Sequence, residues 1–297
     1  MTKRFPKVLA FGGVLFLSFS VWGADSRPLA GLSYSPSGVQ AEDDFARGVT
    51  EDHLRTDLTP LVGLTSRIRT YATDNGLDHA VPIAGSLGLK VSLGIWLGLY
   101  PDVNAAEIHR GVTAARKYPG TVDRVFVGNE VLTRKEMTVP ALKAEIAKVK
   151  AALKGTNITV GTAETWNMWV AHPELAEGLD FIGAHIFPYW DDIPAAEATA
   201  YVARRYKELQ TLFPNQKIVI AETGWPAAGP RRKGAEASPA IQAQYVAAFV
   251  RAAAAAHYDY YIVEAYDQPW KVTREAGGVG AAWGIMDAAR RPKFDVR

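Results

Sequence analysis

Two stretches decide the fold: Val125-Phe126-Val127-Gly128-Asn129-Glu130 and Ile218-Val219-Ile220-Ala221-Glu222-Thr223-Gly224-Trp225-Pro226. Each is a short apolar run, rich in β-branched residues, that ends abruptly in a glutamate. Such runs are typical of strands buried inside a parallel sheet, because both faces of that sheet are covered. The sequence therefore predicts two parallel strands that each carry a carboxylate to the same edge of a sheet.

Six further runs of this kind flank the two. The eight predicted strands cover residues 29–34, 67–71, 90–97, 123–128, 158–163, 181–186, 217–221 and 260–265. Segments with helical spacing separate them, and strands that alternate with helices pair in parallel through crossover connections. Eight repeats predict an α/β fold, a single (β/α)8 TIM barrel over residues 25–297. A doubly wound open sheet is the alternative, but no Gly-rich nucleotide-binding motif supports it.

Local signals mark where helices begin. Thr50 precedes two acidic residues and a leucine stripe, which predicts a helix capped at that residue. Asn104 with Glu107 three residues later matches a capping box, and Ser238, followed by a proline, predicts the start of a helix that runs to residue 256.

The N-terminus has the pattern of an export signal. Lys3, Arg4 and Lys7 precede an uncharged apolar run over residues 8–22, and small residues follow at 23–24. The run is shorter than the roughly 20 residues of a spanning helix. We therefore predict that residues 1–24 are a signal peptide or membrane anchor before the barrel. The protein is then exported, periplasmic or secreted, with inner-membrane anchoring as the alternative.

Composition excludes several functions. The 297 residues carry a net charge of +2, which gives no reason to expect nucleic acid as a partner. The chain has no cysteine, so disulfides, thiolate catalysis and cysteine-ligated metals are excluded. Membrane contact is expected only through an uncleaved N-terminal anchor.

The active site of such a barrel lies at the carboxyl ends of its strands. The residues expected there are Tyr34, Arg69, Tyr71, Trp96, Asn129, Glu130, Glu164, Trp166, His185, Tyr189, Glu222, Trp225, Glu264, Tyr266 and Trp270. Carboxylates and amides bind sugar hydroxyls, and aromatic faces pack against sugar rings, so this set suits a carbohydrate cleft. A tryptophan can equally belong to the core, and Glu164 or Glu264 can be a structural ion-pair partner.

Two carboxylates at one edge are what cleavage of a glycosidic bond needs, one as acid and one as nucleophile or base. Other chemistries lack their motifs. The six histidines show no H-x-H or H-E-x-x-H spacing, and no G-x-S-x-G occurs. We therefore expect neither a metal nor a cofactor.

The two stretches around Glu130 and Glu222 resemble the signatures of glycoside hydrolase family 17. That family contains β-1,3-glucanases and, in bacteria, related glucanosyltransferases, on a (β/α)8 barrel of a large retaining clan. The resemblance continues at Arg69-Thr70-Tyr71, at Pro188-Tyr189 and at Glu264 with Trp270-Lys271, and spans residues 29–294.

The resemblance implies that Glu130 is the acid/base, that Glu222 is the nucleophile and that Asn129 holds the sugar 2-hydroxyl. Further substrate contacts are expected from Tyr34, Arg69, Tyr71, Trp166, His185, Tyr189, Trp225, Glu264 and Trp270. The sequence departs from plant members, which carry Asn and Tyr near the sixth strand, by having His185 and Phe187.

The expected reaction is a retaining double displacement on β-1,3-glucan, with the two carboxyls about 5–5.5 Å apart. Water as the second nucleophile makes the enzyme a hydrolase, whereas a sugar hydroxyl makes it a transglycosylase that can remodel glucan or form a β-1,6 branch. Two alternatives stay open: a retaining enzyme of the same clan that acts on another β-glycan, and a non-catalytic glucan-binding barrel.

Overall fold

The computed structural model describes residues 29–41, 43–274 and 276–295. Eight parallel strands form a closed barrel in sequential order. They are β1 Leu32–Ser33, β2 Arg67–Arg69, β3 Lys90–Ile95, β4 Val122–Asn129, β5 Thr159–Thr165, β6 Phe181–His185, β7 Lys217–Thr223 and β8 Tyr260–Ile262. Leu32 pairs with Ile68 on one side and with Ile262 on the other, which closes the barrel. The predicted fold class is confirmed.

Helices surround the barrel, and residues of α1 and α6 also reach its mouth. They are α1 Asp43–Ala46, α2 Glu51–Leu58, α3 Ala80–Ser86, α4 Pro101–Lys117, α5 Val139–Ala152, α6 Trp166–Ala171, α7 Ala195–Leu212 and α8 Pro239–Ala256. Within the part of the chain that the structure describes, no helix is both long and apolar enough to cross a bilayer. The predicted signal or anchor at 1–24 lies outside the described residues, and its boundary stays a prediction.

Two of the three predicted helix starts are confirmed. Thr50 caps α2, and Ser238 caps α8 by accepting a hydrogen bond from the backbone of Ile241. The capping box at Asn104 is wrong, because Pro101 takes the first position of α4 one turn earlier. Asn104 instead bonds the backbone N–H and C=O of Gly98 and so shapes the loop before the helix.

The strands place their side chains alternately inside and outside the barrel. On β4, Val125 and Val127 belong to the large apolar layer between barrel and helices. Phe126 belongs to a separate small cluster with Ala163, Phe181, Val219, Ala221 and Tyr261. That second cluster fills the barrel interior, so the barrel is a packed core with its opening only at the strand ends.

Strand pairing becomes irregular near the carboxyl ends of three strand pairs. The register shifts between Phe126 and Asn129 where β4 meets β5, between Ala184 and His185 where β6 meets β7, and again where β7 meets β8. Such irregularities redirect side chains near functional sites. Here they lie beside Glu130, His185 and Glu222, the residues predicted to face the substrate.

The buried carboxylate of Asp57 on α2 ties three distant parts of the fold together. It accepts hydrogen bonds from Tyr34 (2.9 Å), from the backbone and hydroxyl of Ser37 (2.8 and 2.7 Å), and from Arg290 near the C-terminus (2.6 Å). Burial alone raises the pKa of a carboxyl, but hydrogen bonds from His53, Ser37 and Arg290 outweigh it and hold the pKa of Asp57 below its usual value.

We predict that Asp57→Asn destabilises the fold by about 3 kcal/mol at pH 7, because it leaves buried donors and a cation without their anion. Since the pKa of Asp57 is lowered in the folded state, its contribution is present above the unfolded value of about 3.9 and is lost as the pH falls through the folded value. Urea unfolding of both proteins should therefore show a stability gap that narrows below about pH 4.

The matched control is Glu177→Gln, which breaks an exposed ion pair with Lys143 and should leave the unfolding midpoint unchanged. A stability gap between Asp57→Asn and the parent protein that stays constant from pH 7 to pH 3 would contradict the role given to the ionised carboxylate.

Candidate active site

An open cleft of about 1010 Å³ lies at the carboxyl ends of the strands, and residues at or just beyond all eight strand ends line it. Of the residues predicted from the sequence, the cleft brings together Tyr34, Tyr71, Trp96, Asn129, Glu130, Trp166, His185, Glu222, Glu264 and Trp270. Arg69 contacts this group from below. The cleft therefore forms where the alternation of strands and helices predicts it.

Glu130 sits in a tight turn directly after β4. Gly128 has φ +83° and Glu130 has φ +54°, so the chain turns sharply as the strand ends. A side chain at Gly128 would place its Cβ 2.6 Å from Val131, which requires glycine there in addition to the positive φ. The Glu130 backbone N–H bonds the carbonyl of Ala163 on β5 at 2.8 Å. The turn thus presents a half-buried carboxylate to the cleft.

Glu164 holds the segment that follows Glu130. Its carboxylate accepts hydrogen bonds from the backbone of Leu132 (2.7 Å) and from the backbone and hydroxyl of Thr133 (3.2 and 2.9 Å). Burial raises the pKa of Glu164 despite these hydrogen bonds. Of the two readings that the sequence left open, the structure supports the structural one, in which Glu164 fixes the turn.

Glu222 lies within β7 and is held by a buried arginine. Nη1 of Arg69 lies 2.5 Å from Oε1 of Glu222, and Nη2 lies 2.6 Å from the side-chain oxygen of Asn129. The guanidinium also packs over the rings of Phe126 and Tyr71, 4.5 and 4.8 Å from their centroids. One arginine therefore fixes Glu222 and Asn129 relative to each other.

The surroundings of Glu222 favour its ionised form. Burial alone would raise its pKa, but the positive charges at His185 and Arg69 and hydrogen bonds from Arg69 and Tyr71 outweigh burial and lower the pKa of Glu222. An ionised carboxylate that is largely buried but lines the cleft can act as a nucleophile. The lowered pKa thus fits the role that the family resemblance implies.

The ring of His185 lies between the two glutamates. Its Nδ1 is 2.6 Å from Oε1 of Glu130, and its Nε2 is 3.4 Å from Oε1 of Glu222. One carboxylate oxygen of Glu130, one of Glu222 and a ring nitrogen of His185 all lie within 4.8 Å of one another. This limit on the oxygen-to-oxygen distance is compatible with the separation of the two carboxyl groups in retaining glycosidases, about 5–5.5 Å, and lies below the range of inverting ones, about 6.5–9.5 Å.

Three potential ligands in one place raise the question of a metal ion, and this group is the one such cluster among the described residues. Arg69 argues against a cation here, because its guanidinium already lies 2.5 Å from Glu222 and takes up the charge that would attract a metal. The two carboxylates and the imidazole of this cluster are better explained as groups that bind and transfer protons.

Glu264 lies at the floor of the cleft and is paired with a lysine. Nζ of Lys271 lies 2.9 and 3.2 Å from the two carboxylate oxygens. Burial raises the pKa of Glu264 to about 7, although the charge of Lys271 acts in the opposite direction. The Glu264 side chain is almost fully buried and Lys271 is partly exposed, so the lysine presents the charge of this pair to the cleft.

Two tryptophans on the β3–β5 side are held by stacked guanidinium groups. Arg205 lies 3.8 Å from the ring centroid of Trp166, whose indole N–H bonds Asp191 at 3.1 Å. Arg134 lies 4.1 Å from the centroid of Trp96. On the opposite side of the mouth, Trp270 packs edge-on against Phe45. Aromatic side chains thus line the cleft on both sides of the carboxylates.

Besides the buried Arg69, two further predicted substrate contacts do not line the cleft. Tyr189 is fully buried, donates to the carbonyl of Pro230 at 2.5 Å and packs against tryptophans beneath the cleft. Trp225 is also fully buried and donates to the backbone of Glu236 at 2.9 Å. Neither lines the cleft, because both rings point from the loops into the packed layer. Tyr34 does line the cleft, but its hydroxyl is bound to Asp57.

Several lining residues carry no strand-end signal and were not predicted. They are Ser35, Asp43, Phe45, Asp74, Arg134, Asn167, Phe187, Trp190, Asp191, Arg274 and Trp283. Most come from loops or from α1, whose path over the barrel the apolar periodicity does not specify. The aromatic content of the segments after β6 and β8 is the one signal that points to some of them.

A family model described as the BtgE/BtgC glycoside hydrolase domain matches residues 31–284. A glucan 1,3-beta-glucosidase of Arthroderma benhamiae is 29% identical, over 97% of this chain and 97% of that protein. The glucan endo-1,3-beta-glucosidase btgC of Emericella nidulans is 24% identical over 89% of this chain. The chain spans less than half the length of the btgC relatives, 43% of the one from Aspergillus niger. These relatives are fungal rather than bacterial.

Solved structures share the fold. A glycoside hydrolase family 17 β-1,3-glucanosyltransferase from Rhizomucor miehei superposes with a TM-score of 0.77 at 24% identity, covering 90% of this chain and 97% of that one. An endo-laminarinase from Formosa gives a TM-score of 0.76 at 18% identity, covering 87% and 83%. The expected resemblance to family 17 is therefore confirmed at the level of the fold. Since the family model covers most of the barrel, the chain belongs to the BtgE/BtgC glycoside hydrolase family.

Proposed function

We propose that this protein is a retaining β-1,3-glucan-active enzyme in which Glu222 is the nucleophile and Glu130 the acid/base. The observation that carries the proposal is that an oxygen of Glu130 and an oxygen of Glu222 lie within 4.8 Å of each other, with Glu222 held ionised beside Arg69. The names of the Arthroderma relative, a glucan 1,3-beta-glucosidase, and of the Emericella relative, a glucan endo-1,3-beta-glucosidase, support β-1,3-glucan as the substrate.

In the first half of the reaction, Glu222 attacks the anomeric carbon while Glu130 donates its proton to the leaving oxygen. Arg69 fixes the attacking carboxylate, and Asn129, held by the same guanidinium, is placed to bind the sugar 2-hydroxyl. In the second half, Glu130 takes a proton from the incoming nucleophile as that oxygen displaces Glu222. Both halves of the reaction use the same two glutamates, because the short distance between them lets Glu222 reach the anomeric carbon directly.

The acceptor side of the cleft lies next to Glu130, because the acid protonates the leaving group. Trp96 and Trp166 flank Glu130 around the barrel, and the guanidiniums of Arg134 and Arg205 stack on their rings. Rings held in this way suit the flat faces of a second glucan chain. This supports glucan transfer beside hydrolysis. The pair of carboxylates, one of them bound to Arg69, argues against a purely non-catalytic binding barrel.

Export belongs to the same proposal. The basic residues and apolar run of segment 1–24 support secretion or a periplasmic location, which is where an enzyme that remodels extracellular or periplasmic glucan meets its substrate. A membrane anchor in place of a cleaved signal is the alternative.

We predict that Glu222→Gln lowers turnover of laminarin by at least about a thousandfold, because an amide cannot form the glycosyl ester. The variant keeps the shape of the side chain, so binding of laminari-oligosaccharides, measured by calorimetry, should remain. The control is Glu197→Gln on the exposed surface of α7, which should retain full activity. Unchanged turnover in Glu222→Gln would contradict the assignment.

Removing the charge of Arg69 should shift the acid limb of the pH profile. Ionised Glu222 is the active form, and its lowered pKa keeps it ionised at acidic pH. In Arg69→Met that pKa rises, so kcat/KM should begin to fall at a pH higher by about one unit. Arg69→Lys keeps a charge and should shift the limb less. An acid limb that does not move in Arg69→Met would refute this role.

Incubation with laminaripentaose tests hydrolysis against transfer. We expect products longer than the substrate at high substrate concentration, because the stacked tryptophans hold an acceptor, and shorter products when the substrate is dilute. Proton NMR should show the β-anomer as the first product released, since double displacement retains configuration. Release of the α-anomer first would refute the mechanism, and shorter products at every concentration would refute transfer.

A further inference from the structure

We infer that the catalytic acid of this enzyme is a hydrogen-bonded pair, Glu130 with His185, that shares one proton. The inference rests on the proposed function and adds a second titrating group to the acid. The supporting observation is the 2.6 Å distance between Nδ1 of His185 and Oε1 of Glu130, with the other ring nitrogen turned toward Glu222. His185 acts through Glu130 and is therefore a positioning residue.

The surroundings of the pair strengthen its hydrogen bond. The side chain of His185 is fully buried, whereas the Glu130 side chain is 27% exposed and faces the cleft. The ring of Phe187 packs edge-on against the imidazole at 6.3 Å. A hydrogen bond between ionisable groups in such a water-poor setting is stronger than one in solvent. The hydrogen bond therefore holds the shared proton between the buried imidazole and a carboxyl that faces the cleft.

The surroundings of Nε2, the ring nitrogen that faces away from Glu130, indicate that this nitrogen carries a proton. Nε2 is buried, lies 3.4 Å from Oε1 of Glu222 and makes no hydrogen bond within the described part of the chain. Because Arg69 holds Glu222 ionised, an N–H at this position is favoured and a lone pair is not. When Nε2 carries its own proton, the shared proton lies between Nδ1 of His185 and Oε1 of Glu130.

Charged groups from four strands surround the imidazole. Glu130 contacts it from the end of β4 and Glu222 from β7. Glu164 on β5 interacts with it electrostatically, and Arg69 on β2 lies behind Glu222. The carboxylates outnumber the guanidinium, so the site favours keeping the shared proton on the Glu130–His185 pair.

The proton balance follows the double displacement. In the first step the pair gives its proton to the glycosidic oxygen, which takes the electrons of the breaking bond while Glu222 bonds the anomeric carbon. The pair then holds Glu130 as a carboxylate beside neutral His185. In the second step the pair takes a proton from water or a sugar hydroxyl, that oxygen bonds the anomeric carbon, and the electrons of the ester bond return to Glu222.

The test is His185→Asn, which keeps an amide near the position of Nδ1 but cannot titrate. The variant therefore removes one of the two groups that share the proton and leaves Glu130 as the only one. The alkaline limb of kcat/KM on laminarin should move toward acid by at least about one pH unit, with activity largely recovered at low pH.

A substrate that needs no acid separates this role from a structural one. With 2,4-dinitrophenyl β-laminaribioside the leaving group departs unprotonated, so at neutral pH, above the acid limb set by Glu222, kcat/KM of His185→Asn should stay within about threefold of the parent. The matched control is His172→Asn, which alters another His–Glu pair away from the cleft and should leave both profiles unchanged. Glu222→Gln should abolish activity on both substrates. Activity in that variant would reject the proposed function itself.

An alkaline limb that stays in place in His185→Asn, or equal losses on both substrates at every pH, would overturn the inference. If His185→Asn does not fold, NMR of ¹⁵N-labelled imidazoles supplies the test. The titration midpoint of His185 should fall in Glu130→Gln, because the variant removes the carboxylate that shares the proton. A midpoint that is unchanged in Glu130→Gln would overturn the inference in the same way.

Discussion

The contact between Arg69 and Glu222 is the interaction on which the rest of the site depends. A guanidinium that is almost entirely buried holds a carboxylate ionised at 2.5 Å, and the same group positions Asn129 at 2.6 Å. A buried cation is costly unless it is paired, and here its partners are the residues that face the substrate. Stability and function therefore depend on the same charge, and loss of either partner leaves a buried charge unmatched.

The barrel makes this arrangement possible because it brings distant segments to one mouth. Arg69 and Glu222 are 153 residues apart in sequence and meet across the inside of the barrel. Side chains along a regular strand alternate between the inside and the outside of the barrel. The irregular pairing at the ends of β4, β6 and β7 changes that alternation at the mouth. His185 gains its place between two carboxylates in this way. The regular part of the barrel supplies rigidity, and its irregular ends supply the geometry of the site.

The sequence predicted the positions of the strands better than it predicted which loop residues line the cleft. All eight apolar runs became strands, since each run has the length and composition of a buried parallel strand. The capping box at Asn104 failed because a proline three residues earlier starts the helix first. Tyr189 and Trp225 were expected at the cleft and are buried under it, since an aromatic ring near a strand end can face either way. Trp190 and Trp283 line the cleft from loops that periodicity does not describe.

The sequence by itself determined the barrel, the position of two glutamates at its mouth and the family to which these stretches belong. Those conclusions rest on local properties: the length of apolar runs, the alternation with helices and the residues at each strand end. Only the tertiary structure decided that one guanidinium, that of Arg69, bonds both Glu222 and Asn129. It alone also decided that Glu164 supports a turn and that His185 lies 2.6 Å from Glu130. These facts depend on distances between segments far apart in the chain, and no local pattern encodes such distances.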